Sequence, residues 1–186
     1  MQITQSKTNH QYDAVIDRCK DIFLKKTTDY GTAWRVLRTI SITDQIYIKA
    51  QRIRTIQEKK VQKIGDDITA EFIGIINYSV IGLMQLDLEE DAPEDLPVEE
   101  VSELYNHKIL IARDLMQAKN HDYGEAWRGM SQESFVDLIL MKLYRMRQIL
   151  TNEGKTLISE GLDANYLDII NYAVFALILL SEKGDS

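Results

Sequence analysis

Residues 26–35 read KTTDYGTAWR and residues 119–128 read KNHDYGEAWR, an offset of 93. At the same offset Asp44 falls on Asp137, Lys49 on Lys142, Arg52 on Arg145 and Arg54 on Arg147. One inserted residue later, at offset 94, IINY at 75–78 falls on IINY at 169–172. Ordered matches with a single insertion mark an internal duplication. The chain is therefore read as two copies of one unit.

Each unit reads as helix. The chain has Gly 9 and Pro 2, and both prolines lie in the acidic segment DLEEDAPEDLPVEE, 87–100. Few breakers and long periodic stretches predict helices near 10–26, 32–39, 43–62 and 67–86, then 98–118, 125–130, 134–152 and 164–182. The DYG segments read as loops. Gly31 and Gly124 are placed at turns that close to bulky residues. Thr43 and Asp163 are placed as helix N-caps. The expected fold is all-α, a first repeat over 1–90 and a second over 91–186, joined by an acidic linker at 87–100 and packed as one pseudo-two-fold pair.

Composition narrows the function. With 186 residues, 45% hydrophobic and 27% charged, the chain is long enough for a core and too apolar for disorder. A net charge of −7 weighs against direct DNA binding, which needs a basic face. One cysteine, Cys19, excludes an internal disulfide or a Cys-based zinc site and fits a reducing cytoplasm. The opening MQITQSKTNH does not read as a signal peptide. The apolar run at 166–180 carries Asp168 and Asn171 and is judged too short and polar to span a bilayer, so no membrane partner is expected.

Candidate chemistry sits on the two longest helices of each unit. At about 100° per residue, Lys142 falls inside the stripe formed by Ile139, Leu143, Met146 and Ile149. Lys49 falls likewise among Ile46, Ile53 and Ile56. Such a lysine must snorkel, pair with an acid or meet an anionic ligand. Arg145 and Arg52 lie one turn on. A buried ion pair and a phosphate cradle both fit. The last helix places Asp168, Asn171 and Tyr172 on one face, while copy one has Gly74 for Asp168, Asn77 for Asn171, and Glu71 one turn earlier. Each copy thus keeps one acid, which fits either a composite site or drift at a helix contact. Asp122 and Tyr123, with Asp29 and Tyr30 in copy one, could meet a metal or a base. Trp34 and Trp127 read first as core. Glu99, Glu100 and Glu103 spell E-E-x-x-E, although acids simply favour a helix start. No P-loop, G-x-G-x-x-G, H-E-x-x-H or G-x-S-x-G occurs, and His10, His107 and His121 have no ligand spacing.

The frame K-x-x-DYG-x-x-W, D-x-x-x-x-K-x-x-R and DIINY resembles the nucleotide modification associated domain 1 family, over roughly 20–86 and 113–182. E-E-x-x-E is similar to the metal signature of the MazG-type all-α nucleotide pyrophosphohydrolases. The resemblance implies a MazG-like helical bundle and a nucleotide ligand, with Mg²⁺-dependent pyrophosphohydrolysis as the implied activity. The E-x-x-D partner of that signature is not at its usual place. On this reading Asp122, Asp137 and Asp168 are the catalytic candidates, and Asp168, Asp122 and Glu71 the metal ligands. Lys142, Arg145 and Asn171 hold phosphate or sugar and Tyr123 stacks on a base, with Tyr30, Lys49, Arg52 and Asn77 as their copy-one counterparts. The site is expected to lean on copy two, and a homodimer is allowed for. The competing reading is a non-catalytic helical interaction module. An open pocket uniting positions 122, 142 and 168 would favour the first, and a closed ion-pair network the second.

Overall fold

A computed structural model describes residues 2–60, 67–157 and 160–184. They form six long helices and no strand among the described residues. In the first repeat α1 is Gln2–Tyr30, a 3₁₀ turn covers Ala33–Val36, α2 is Thr39–Lys59 and α3 is Asp67–Asp87. In the second, α4 is Val98–Tyr123, a 3₁₀ turn covers Ala126–Gly129, α5 is Gln132–Thr151 and α6 is Leu162–Gly184. The fold is all-α, and its helices repeat in the order the duplication requires.

The differences from the expected boundaries have local causes. Asp29, Tyr30, Asp122 and Tyr123 are not in loops but in the last turns of α1 and α4. Gly31 and Gly124 follow them at φ +64 and +61, and their N–H groups close on the carbonyls of Thr27 and Asn120. A left-handed residue here ends the helix, and glycine reaches it without strain. The two short helices are single 3₁₀ turns. Thr43 is not a cap. The chain enters α2 from extended Arg38, so Thr43 is buried a turn inside, its hydroxyl donating to the Ile40 carbonyl at 2.7 Å. Asp163 also lies inside its helix, in the first turn of α6, where a carboxylate still meets the positive end of the dipole. Of the expected helix 43–62, positions 61 and 62 lie outside the described residues.

The packing follows the sequence repeat. α3 lies against α6, α2 against α5 and α1 against α4, while α2 covers α3 as α5 covers α6. Every one of these contacts maps onto itself or its counterpart when the repeats are exchanged. Two sets of side chains show the same exchange. Asp44 pairs with Arg147 at 3.0 Å and Asp137 with Arg54 at 3.8 Å, each bridge crossing between repeats. In the interior, the Tyr12 hydroxyl donates to Asn171 Oδ1 at 2.7 Å and the Tyr105 hydroxyl to Asn77 Oδ1 at 2.8 Å. The other end of each amide stays within its own repeat. Asn171 Nδ2 donates to the Ala112 carbonyl and Asn77 Nδ2 to that of Cys19. Tyr12 and Tyr105, like Cys19 and Ala112, are 93 apart.

α3 and α6 form the centre. By length and composition both could cross a membrane, and α6 is longer than the 166–180 run suggested. About two thirds of each apolar stretch is instead buried inside the protein, 61% and 67%. The crossing is close: a Cβ at Gly82 would stand 2.3 Å from the Tyr166 ring. The linker is fastened too. Arg35 donates to the carbonyls of Glu89, Ala92 and Pro93, and Thr32 bonds the Glu94 carbonyl and the Leu96 N–H.

Burial holds the phenols of Tyr12, Tyr105 and Tyr166 above the ordinary tyrosine range. In the unfolded chain they would ionise near pH ~10. The stability they carry is therefore full below that pH and lost as pH rises. In an alkaline titration, part of the tyrosinate absorbance should appear only together with loss of the helical circular dichroism. Full ionisation of all tyrosines with helix intact would show that these three are not enclosed.

Candidate functional site

In the second repeat the buried lysine meets its acid. Lys142 Nζ lies 2.8 Å from Asp168 Oδ2, and Lys119 Nζ lies 2.8 Å from Oδ1. Asp168 is 5% exposed, so its charge depends on both ammonium groups. Burial opposes the charge on Lys119, the hydrogen bond and charge of Asp168 outweigh it, and its pKa is held above the lysine range. The space beside Trp127 is filled. The Trp127 indole stacks on Phe175 with centroids 4.2 Å apart and planes 6° from parallel, and its Nε1 donates to Asn120 Oδ1. Asp122 is outside this network, exposed beside His121 at 3.1 Å. Tyr123 is 74% exposed. Lys142 and Arg145 also line a groove of about 710 Å³ with Asn152, Lys155 and Asn165, which has no aromatic wall. Positions 119, 142 and 168 thus form an ion-pair network that position 122 does not join.

The expected metal set does not assemble. Both oxygens of Asp168 are bonded to lysines, and those of Glu71 face Arg52 at 2.8 Å and Lys49 at 3.6 Å. Asp137 is exposed at the bridge to Arg54. Glu99, Glu100 and Glu103 line the exposed start of α4. Among the described residues no three His, Cys, Asp or Glu side chains converge on one point. Asp168 and Glu71, with both oxygens already facing cations of the chain, offer Mg²⁺ no free carboxylate oxygen. The amides of Asn77 and Asn171 are spent on the interior bonds described above.

The first repeat is open where the second is filled. A cavity of about 690 Å³ lies among α1, its 3₁₀ turn, α2 and α3. That volume suits a small-molecule ligand. Trp34, Tyr30, Phe23 and Tyr78 give it aromatic walls, and Lys26, Lys49 and Arg18 give it cations. Glu71 is the one acid among its lining residues. Two substitutions account for the space. Gly74 stands where Asp168 is, and Ile81 stands where Phe175 is. Lys49 lies directly over Gly74, since a Cβ there would be 2.8 Å from its Cε. Lys26, the counterpart of Lys119, is exposed and has no carboxylate partner among the described residues. Trp34 Nε1 is buried without an acceptor, because Thr27 replaces Asn120 and gives its hydroxyl to the Phe23 carbonyl.

The cavity brings together Tyr30, Lys49, Asn77 and Glu71 from the expected set, and lies in the first repeat rather than the second. It adds Arg18, Lys26, Trp34, Gly74, Tyr78 and Ile81. The signal for part of these was available at offset 94: copy one carries the smaller residue at 74 and 81, Gly against Asp168 and Ile against Phe175.

A family model described as nucleotide modification associated domain 1 matches residues 26–86 and 119–180. The two matches cover most of the chain, and the chain belongs to this family. No curated protein and no solved structure matches it.

Proposed function

We propose that this member of the family binds a nucleotide, and binds it in the first repeat. The observation that carries the reading is the cavity beside Gly74, which joins an aromatic wall to three cations and a single acid. A base can lie against Trp34, since rings prefer offset stacking on an open indole face. Phosphate oxygens can be met by Lys26 and Lys49, with Arg18 at the rim, because ammonium and guanidinium donors form the strongest hydrogen bonds to such oxygens. Glu71 stays neutralised by Arg52 and Lys49 and so does not repel them. The chain's own residues bind, orient and shield the ligand. No step of hydrolysis is assigned, because the carboxylates do not fit the metal such a step would use. The second repeat, whose Asp168 is already neutralised by Lys119 and Lys142, serves here as the scaffold.

Titration with nucleoside mono-, di- and triphosphates, followed by tryptophan emission and calorimetry, tests this. Trp127 is covered by Phe175, so the expected change in emission belongs to Trp34 and disappears in Trp34→Phe. Lys26→Met should leave the fold unchanged and weaken binding by roughly 1.5–3 kcal/mol, the scale of one charged hydrogen bond. Absence of binding by every nucleotide at millimolar concentration would end the proposal.

A further inference from the structure

We infer that the second repeat is filled by its own side chains, and that these side chains outline the ligand of the first. This inference rests on the nucleotide reading above and deepens it. In the second repeat the Phe175 ring lies flat on Trp127, and the Asp168 carboxylate sits between Lys119 and Lys142 at 2.8 Å from each. The equivalent frame in the first repeat is Trp34, Lys26 and Lys49, with Ile81 and Gly74 in place of ring and carboxylate. Both occupants come from α6. The first repeat therefore lacks, at matching positions, one planar ring and one anion.

The spacing of the two occupants constrains what replaces them. Positions 168 and 175 are two turns apart on one helix, about 10 Å along its axis. A ligand that fills both places carries a flat ring at one end and negative charge at the other. A nucleoside has the ring without the charge, and inorganic polyphosphate has the charge without the ring. A nucleoside polyphosphate has both, with its base on Trp34 and its phosphates over Gly74 between Lys26 and Lys49. Lys26, which has no carboxylate partner among the described residues where Lys119 has Asp168, is the polar requirement such a ligand meets. Because the second repeat already holds its ring and its anion, the chain has one site and not two.

Two substitutions copy the filling, one end at a time. Gly74→Asp supplies the anion. Its clash is with the flexible end of Lys49, which can swing to pair with it as Lys142 pairs with Asp168. Ile81→Phe supplies the ring. The probes are the four common ribonucleoside triphosphates, each singly, then the matching nucleoside and inorganic triphosphate, read by calorimetry with melting curves on every variant. Wild type is expected to bind one triphosphate per chain, more tightly than either fragment. Gly74→Asp should melt no lower than wild type and lose affinity for the triphosphate by about tenfold or more, while its affinity for the nucleoside is kept. Ile81→Phe should lose the nucleoside and keep inorganic triphosphate. Should Gly74→Asp misfold, Lys26→Met carries the same expectation for the phosphate end. Wild-type affinity in Gly74→Asp and Lys26→Met, or two triphosphates bound per chain, would overturn this inference and leave nucleotide binding standing. No binding of any probe to wild type would overturn both.

Discussion

Asp168→Ala is expected to cost about 3–5 kcal/mol of folding stability, the range for a buried charge stripped of its partner. The carboxylate is 2.8 Å from both Lys119 and Lys142, but the two lysines differ in what happens next. The Lys119 side chain is 49% exposed and can turn to water, whereas that of Lys142 is 11% exposed and cannot. The loss is therefore carried by Lys142. Lys142→Met alone should be milder, about 1–3 kcal/mol, because Asp168 keeps Lys119 and methionine keeps the apolar stem. The double variant Asp168→Ala/Lys142→Met should cost clearly less than the two singles added together. Denaturant unfolding of the four proteins measures this. Simple additivity would mean that the pair is not coupled.

The second large effect belongs to the asparagines of IINY. Asn171→Leu removes an acceptor from the Tyr12 hydroxyl and a donor from the Ala112 carbonyl, both buried. The Tyr12 hydroxyl is left without a partner, while the Ala112 carbonyl, in mid-α4, keeps its helical N–H, so the loss expected is about 1–3 kcal/mol. Asn77→Leu should behave the same way through Tyr105 and the Cys19 carbonyl. Tyr12→Phe should be less harmful in the Asn171→Leu background than in wild type, since it removes the stranded hydroxyl. A loss under 1 kcal/mol for both asparagine variants, by the same denaturant measurement, would show that water reaches these amides.

Much of the fold was legible because duplication printed it twice. The sequence places Gly31 and Gly124 at turns, and they stand there, at left-handed helix ends. Of the three fates open to Lys142 in its apolar stripe, water, an acid or an anionic ligand, the structure shows the acid, Asp168. The helix ends themselves were less legible. Thr43 has a capping side chain, yet the cap position fell to extended Arg38, since the 3₁₀ turn fixes where α2 begins. The aromatic cavity went unforeseen for a different reason. Acids were weighed as chemistry, so the repeat with Asp168 was favoured. In the folded chain that acid is bonded to two lysines, and the cavity walled by aromatic rings lies in the repeat lacking it. Cavities follow from missing volume, and volume is compared only once it is known which surfaces face each other. The fate of Asn77 and Asn171 was also hidden, because their partners Tyr105 and Tyr12 lie in the opposite repeat and outside every recognisable motif.

Those crossed tyrosines make the border near residue 90 a line of descent, not a line of folding. Each half contributes one hydroxyl that only the other half's amide receives, and one amide that waits for the other half's hydroxyl. An isolated half would hold a stranded donor and a stranded acceptor on the face that has lost its neighbour. Two identical halves turned about a true axis would satisfy both at once. The present chain holds two such halves in one polypeptide, and that covalent union lets the two linings differ, Gly74 against Asp168 and Ile81 against Phe175, while the crossed bonds stay in both.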